Sequence, residues 1–440
     1  MIYGGDGLAR LPADERGRGK AVFLPFVLER ERVEASLVEE KPGFARGRAE
    51  KIVEASPYRA QAPCPYFTRC GGCQYQHTTY EHQLEIKAAI LRENLRRITK
   101  VDLPYDLQVH SGEPWGYRNR TRMRVQIERE FALGYYRFGS HELLPVEECP
   151  ISSPAINRAI AAVWELGRKR EMHSGVREIE FFANADDSEL LIELYVDQGD
   201  RAGREKQIGR FARSGKDTSA FVRAAEQLRA AVPGVTGAVV FPAQTFPGGR
   251  KFEASPLATA GTSHLQYKTR QASYRVSAGG FFQVNRFLTD ELVATVTEGK
   301  SGGTALDLYA GVGLFAAVLS REFERVIAVE SSPQSCGDLA YNAPENVKAV
   351  RATVEEYVRK SPIRADLVIA DPPRGGLGEK VSRSIAESGA PALTYVSCDP
   401  ATLARDLVVL LAAGYRVEQA HLVDLFPQTF HLETVLHLTR

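Results

Sequence analysis

The stretch TALDLYAGVGLFAAVLS, residues 304–320, decides the fold. It opens as a short apolar strand, turns at Gly311 and Gly313, and continues as a helical run. A strand that ends in a glycine turn and enters a helix brings backbone amides close to a bound cofactor. Working outward, RVIAVE (325–330), ADLVIADP (365–372) and ALTYVSCDP (392–400) repeat the apolar strand, separated by helix-like stretches. This alternation predicts a doubly wound, Rossmann-like α/β sheet over residues 276–440. YRVEQAHLVDLF (415–426) and HLETVLHLTR (431–440) follow one another without a helix between them, so the last strand should run antiparallel.

Upstream of the sheet the pattern changes twice. Residues 1–55 carry glycine-punctuated β runs such as AVFLPFVL and RVEASLVEE, which predict a small OB-like barrel. Residues 56–275 predict a mixed α+β central domain, with an amphipathic helix over 80–98 and strands at RMRVQIE, EIEFFAN and ELLIELYV. The 440-residue chain is 44% hydrophobic and 25% charged, a globular composition long enough for several cores. Lysine and arginine number 56 against 55 acidic residues, so any basic footprint must be local. MIYGGDGLAR has no basic segment followed by an apolar run, and no run of about 18 apolar residues occurs, so a cytoplasmic protein without a membrane span is expected.

Several residues at the predicted strand ends carry chemistry. Asp307 and Glu330 suit S-adenosyl-L-methionine, because a carboxylate after the second strand can accept both ribose hydroxyls. Gly311, Gly313 and Ala316 also satisfy G-x-G-x-x-A, which keeps a nicotinamide enzyme in play; a tight turn and a helix cap are the plainer readings. Asp371 and Cys398 both fall at carboxyl ends of strands, where open α/β sheets build their sites. Asp399 and Pro400 suit a helix start, which would favour a Cys398 thiolate, whereas a cysteine packed as a small hydrophobe is the ordinary alternative. Arg374 follows Asp-Pro-Pro where amine methylases carry an aromatic ring, so a ring carbon is the better acceptor. C5 of a pyrimidine becomes nucleophilic only after a thiolate adds to C6, and its proton must later leave to a base. His431 and Glu433 alternate with Phe430 and Leu432 and are the candidates, with a solvated strand face as the alternative.

In YRNRTRMR, Arg118, Arg120, Arg122 and Arg124 recur at period two and would share one strand face, a candidate phosphate-binding row. Pairing with local carboxylates such as Glu128 or Glu130 is the alternative. Cys64, Cys70 and Cys73 form C-x5-C-x2-C, with Cys149 far downstream. Four soft ligands can hold tetrahedral zinc or a four-iron cluster, and a single C-x2-C pair suits a zinc ribbon poorly.

FFQVN (281–285), DLYAGVGLF (307–315), DPPRGG (371–376), SCDPATLARDL (397–407) and FPQTFHLET (426–434) resemble, in order, the motifs of the TrmA-type RNA uracil-5-methyltransferases. The N-terminal barrel resembles a TRAM domain without its first strand, so the resemblance spans nearly the whole chain. It implies methylation of uridine C5 in ribosomal or transfer RNA, with 23S ribosomal RNA the favoured substrate; a monomer is expected. It implies Cys398 as nucleophile, Glu433 as proton acceptor, and Gln283, Tyr309, Gly311, Gly313, Glu330 and Asp371 around S-adenosyl-L-methionine. It also implies a [4Fe-4S] cluster on Cys64, Cys70, Cys73 and Cys149. Leu314 stands where one subgroup has a cofactor-contacting asparagine. A catalytically silent RNA-binding iron-sulfur protein is the rival from another class.

Overall fold

The computed structural model describes residues 1–12, 19–100, 107–128, 130–197, 215–243 and 255–440. The chain forms two compact units: Met1–Pro114 with Pro372–Glu387 and Thr394–Arg440, and Trp115–Asp371 with Ser388–Leu393. Together they make a mixed α/β protein with several sheets.

The first unit begins with strands Asp6–Arg10, Ala21–Pro25, Arg32–Glu40 and Phe44–Glu54, in the spatial order first, second, fourth, third. AVFLP alternates half-buried with buried positions, and Val22 and Leu24 join Val27 and Ala45 in a small apolar core. Gly47 is needed where the fourth strand passes close: a Cβ there would stand 2.8 Å from Leu24 Cδ2. Thr79 then caps the helix Tyr80–Thr99, which ends on a left-handed Lys100. This helix packs on the helix Pro400–Ala412. Strands Arg416–Val423 and Thr434–Thr439 are antiparallel, as the short link between them requires, and the former also pairs in parallel with Leu107–His110.

The second unit holds a seven-stranded sheet centred on Arg120–Gln126, Val176–Ala183 and Leu190–Val196. It also holds four parallel strands, in the spatial order Val347–Arg351, Phe323–Glu330, Gly302–Leu308, Leu367–Ala370. The chain leaves Gly302–Leu308 toward one side, through Phe323–Glu330, and later returns on the other at Leu367–Ala370. The carboxyl end of Gly302–Leu308 is thus a topological switch point, the place where open α/β sheets open a crevice. The helical run expected after Gly313 is shorter than the sequence suggests, a single turn at Ala316–Leu319. Gly311 (φ +55°) and Gly313 (φ +90°) hold the preceding residues out of helical geometry.

Candidate active site

At the switch point the strand end delivers Asp307 and then Tyr309, whose φ is +63°. Left-handed geometry is uncommon for an aromatic residue and marks a constrained turn. A Cβ on Gly311 would meet nothing within 4 Å, so open space lies over that turn, while one on Gly313 would stand 2.7 Å from Leu339 Cδ1. Glu330 ends the neighbouring strand. Its Oε2 accepts the Gly311 N–H at 2.9 Å, and its Oε1 accepts the Ser331 and Ser332 N–H groups at 2.8 and 2.7 Å. Glu330 therefore organises the glycine turn directly, besides leading into the helix Pro333–Asn342.

Asp307 is fully buried: its Oδ2 accepts the Ala316 N–H at 3.1 Å, and its Oδ1 has no hydrogen-bond partner among the described residues. Burial, with the charge of Asp371 adding to it, raises the Asp307 carboxyl well above the usual carboxylate range. Asp371 keeps part of its surface open, yet the surrounding protein pushes its carboxyl up to about 7. An orphaned carboxyl oxygen and the open space over Gly311 fit a polar ligand bearing hydroxyl or ammonium donors. Gln283 is buried in the same unit, on a loop flanked by an exposed Phe281 and a buried Phe282. Leu314 is buried, and its carbonyl accepts the Tyr274 hydroxyl at 2.9 Å, so the side chain at that position packs in the core.

Cys398 and Glu433 both lie in the first unit. Asp399 caps Pro400–Ala412, its Oδ1 accepting the Ala401 and Thr402 N–H groups at 2.9 and 3.0 Å. Cys398 thus stands immediately outside the N-terminal end of a 13-residue helix and is only partly buried. The Tyr3 hydroxyl donates to the Cys398 carbonyl at 3.2 Å. Glu433 just precedes the strand Thr434–Thr439; its side chain is buried, and its carbonyl accepts the Val423 N–H at 2.9 Å. It does not belong to a solvated strand face. His431 is half-buried, and Arg374 Nη2 stands 3.3 Å from its Nε2.

Two sequence expectations meet a different arrangement. Arg120, Arg122 and Arg124 share a strand, but Glu178 and Glu180 on the adjacent strand Val176–Ala183 and Glu193 on Leu190–Val196 beyond it compensate them. Arg120 is only 10% exposed at its side chain, which removes it from contact with phosphate. Arg118 lies just ahead of the strand and bridges to Ser152 and Asn285 through its backbone. The partners were invisible to spacing because they arrive by strand pairing, Arg122 opposite Glu180 and Arg124 opposite Glu178.

The metal expectation is not supported either. Among the described residues no group of three or more His, Cys, Asp or Glu side chains is gathered to hold a metal ion. Cys64, Cys70 and Cys73 belong to one unit and Cys149 to the other, and no disulfide joins any cysteine. Cys70 Sγ instead faces the Gly72 N–H at 3.4 Å within its own turn.

Sequence reasoning missed Tyr3, Lys87 and Gln83. Lys87 had a signal: it sits four residues before Leu91, which sits four before Leu95, so a lysine occupies the apolar stripe of its helix. Tyr3 had none beyond the two glycines that follow it.

The profile of the family described as tRNA (Uracil-5-)-methyltransferase matches residues 260–440. The chain is 31% identical to an RNA methyltransferase of Aquifex aeolicus, over 99% of this chain and 96% of that one. It is 32% identical to one of Gloeobacter violaceus, over 100% and 95%. Among solved structures, it shares a fold with the Pyrococcus abyssi tRNA (uracil-54, C5)-methyltransferase in complex with S-adenosyl-L-homocysteine. The TM-score there is 0.73 at 22% identity, covering 99% of this chain and 100% of that one. No helix among the described residues is long and apolar enough to cross a membrane.

Proposed function

Because the chain belongs to the RNA uracil-5-methyltransferase family, we propose that it transfers a methyl group from S-adenosyl-L-methionine to C5 of one uridine through a covalent Cys398 adduct. The observation that carries this reading is the placement of Cys398 at the mouth of Pro400–Ala412, in the same unit as a buried Glu433. The crevice with Tyr309, Gly311, Gly313, Glu330, Asp371 and the orphaned Asp307 oxygen suits S-adenosyl-L-methionine, with Gln283 on an adjoining stretch of the same unit. That molecule supplies an electrophilic methyl group.

The chain's own residues do the rest. The Cys398 thiolate bonds to C6 of the uracil, and the C5–C6 electron pair becomes available at C5. Once C5 carries the methyl group, the Glu433 carboxylate takes the C5 proton; the electrons restore the double bond and expel the thiolate. Burial of Glu433 keeps water from competing for that proton. A target base inside folded RNA has to leave its stack to be reached.

Large-subunit ribosomal RNA is the first substrate to test. Transfer RNA is the second, because the matching family is described by it. The four cysteines of the expected cluster have no part in these steps. The test is mass spectrometry of mapped RNA fragments from a strain lacking this protein against its parent. Loss of one 5-methyluridine from a large-subunit fragment supports the reading as stated, and loss from transfer RNA moves the substrate but keeps the chemistry. Unchanged 5-methyluridine in both pools, together with no activity of purified protein on unmodified RNA, favours the silent binding protein.

A further inference from the structure

We propose that Tyr3 is a positioning residue for methyl transfer, its hydroxyl fixing the peptide of Cys398 and its ring bracing the loop that leads to Glu433. This rests on the nucleophile reading of Cys398. The Tyr3 hydroxyl donates to the Cys398 carbonyl at 3.2 Å across 395 residues of sequence. The edge of the same ring meets Phe430, with centroids 5.5 Å apart and planes at 86°. Phe430 lies three residues before Glu433. One side chain therefore touches both loops that supply the proposed covalent chemistry.

The N-terminal segment is built for this contact. Ile2 N–H donates to the Asp6 carbonyl at 3.0 Å, and Gly5 N–H donates to the Ile2 carbonyl at 3.2 Å, closing a turn around Tyr3. Gly4 (φ +107°) and Gly5 (φ +93°) adopt backbone angles that glycine favours. A Cβ on Gly5 would stand 2.9 Å from Gln74 Cβ and 3.6 Å from Phe430 Cβ, so the segment lies tightly against the cysteine-rich stretch and the Phe430 loop.

Burial, then the charges of Asp399 and Cys398, raise the Tyr3 phenol against the opposing Arg374 charge, and the hydroxyl also hydrogen-bonds the Asp399 side chain, so it stays a protonated donor anchored at both Cys398 and its neighbour. Cys398 lies just outside the helix Pro400–Ala412, next to its capping residue Asp399. The tyrosine hydroxyl ties the Cys398 peptide to the N-terminal segment and so helps set the direction from which the thiol leaves the backbone.

The test uses the full-length protein and Tyr3→Phe, which keeps the ring against Phe430 and removes only the hydroxyl. Single-turnover methyl transfer at saturating RNA and S-adenosyl-L-methionine should slow about fivefold, the scale of one neutral hydrogen bond. Capture of RNA carrying 5-fluorouridine should slow by the same factor, with RNA affinity and the KM for S-adenosyl-L-methionine unchanged. A Tyr3→Phe protein at the wild-type single-turnover rate overturns the inference, as does a deficit that disappears when RNA is raised. Cys398→Ala is run beside it. An active Cys398→Ala protein removes the nucleophile reading and this inference together, whereas an inactive one with unimpaired Tyr3→Phe removes this inference alone.

Discussion

Lys87 Nζ lies 2.5 Å from Asp424 Oδ1, and both side chains are wholly buried. The same ammonium donates to the Phe426 carbonyl at 2.9 Å. One helical turn earlier, Gln83 accepts the Gln428 N–H at 2.9 Å and donates to the Gln428 side chain at 3.0 Å. The Gln74 and Tyr75 N–H groups close on the Gln428 carbonyl at 2.9 and 3.0 Å. The helix Tyr80–Thr99 and the end of the cysteine-rich stretch thus hold the loop that runs from Asp424 to Glu433.

Removing one member of this pair should cost far more than removing both. Lys87→Met leaves a buried carboxylate unpaired, a loss of about 3–5 kcal/mol. Lys87→Met combined with Asp424→Leu should recover most of it, which urea unfolding of the wild type, both single variants and the double variant will show. A double-variant loss equal to the sum of the losses in Lys87→Met and in Asp424→Leu alone would mean that the pair is not coupled.

Stability should also carry the signature of Asp371. Its carboxyl is raised from 3.8 to about 7 in the folded protein, so the folded state holds the proton more tightly than the unfolded chain. That contribution is complete below about pH 4 and is lost as pH rises through about 7. Asp371→Asn does not titrate. Its thermal midpoint should therefore gain on the wild type between these pH values and level off above them; a difference that does not vary with pH contradicts the raised carboxyl.

Arg120 separates structure from RNA contact. Its guanidinium reaches Glu180, the Gly280 carbonyl and Glu193, the last at 3.1 Å, while the Gly279 N–H donates to Glu193 at 2.9 Å. Arg120→Met should destabilise the protein by about 3–5 kcal/mol by stranding buried carboxylates. The slope of RNA affinity against salt concentration should stay as in the wild type, because no phosphate contact is lost. A shallower slope would return Arg120 to the RNA surface.

Glu433→Gln should leave methylation able to proceed but stop release. Denaturing gels with labelled RNA should show a covalent protein–RNA band that accumulates in this variant and is absent from Cys398→Ala. Normal turnover by Glu433→Gln would end its assignment as the base.

How much of this was legible depends on the range over which each signal acts. The parallel strands, the glycine turn and the cap at Asp399 could be read because each follows from residues a few positions apart. Glu330 and Asp371 could be placed at strand ends for the same reason. The arginine row showed the opposite limit: period two put Arg120, Arg122 and Arg124 on one strand, but the carboxylates that absorb their charge come from strands more than 50 residues away. Tyr3 against Cys398 and Lys87 against Asp424 are separated by 395 and 337 residues, and only the fold brings them together.

The most direct test incubates purified protein with methyl-labelled S-adenosyl-L-methionine and unmodified ribosomal or transfer RNA, then identifies the labelled nucleoside by mass spectrometry. The account predicts label in 5-methyluridine at a single position with the wild type and none with Cys398→Ala. Label in any other nucleoside, or an equal yield of 5-methyluridine from Cys398→Ala, would contradict it.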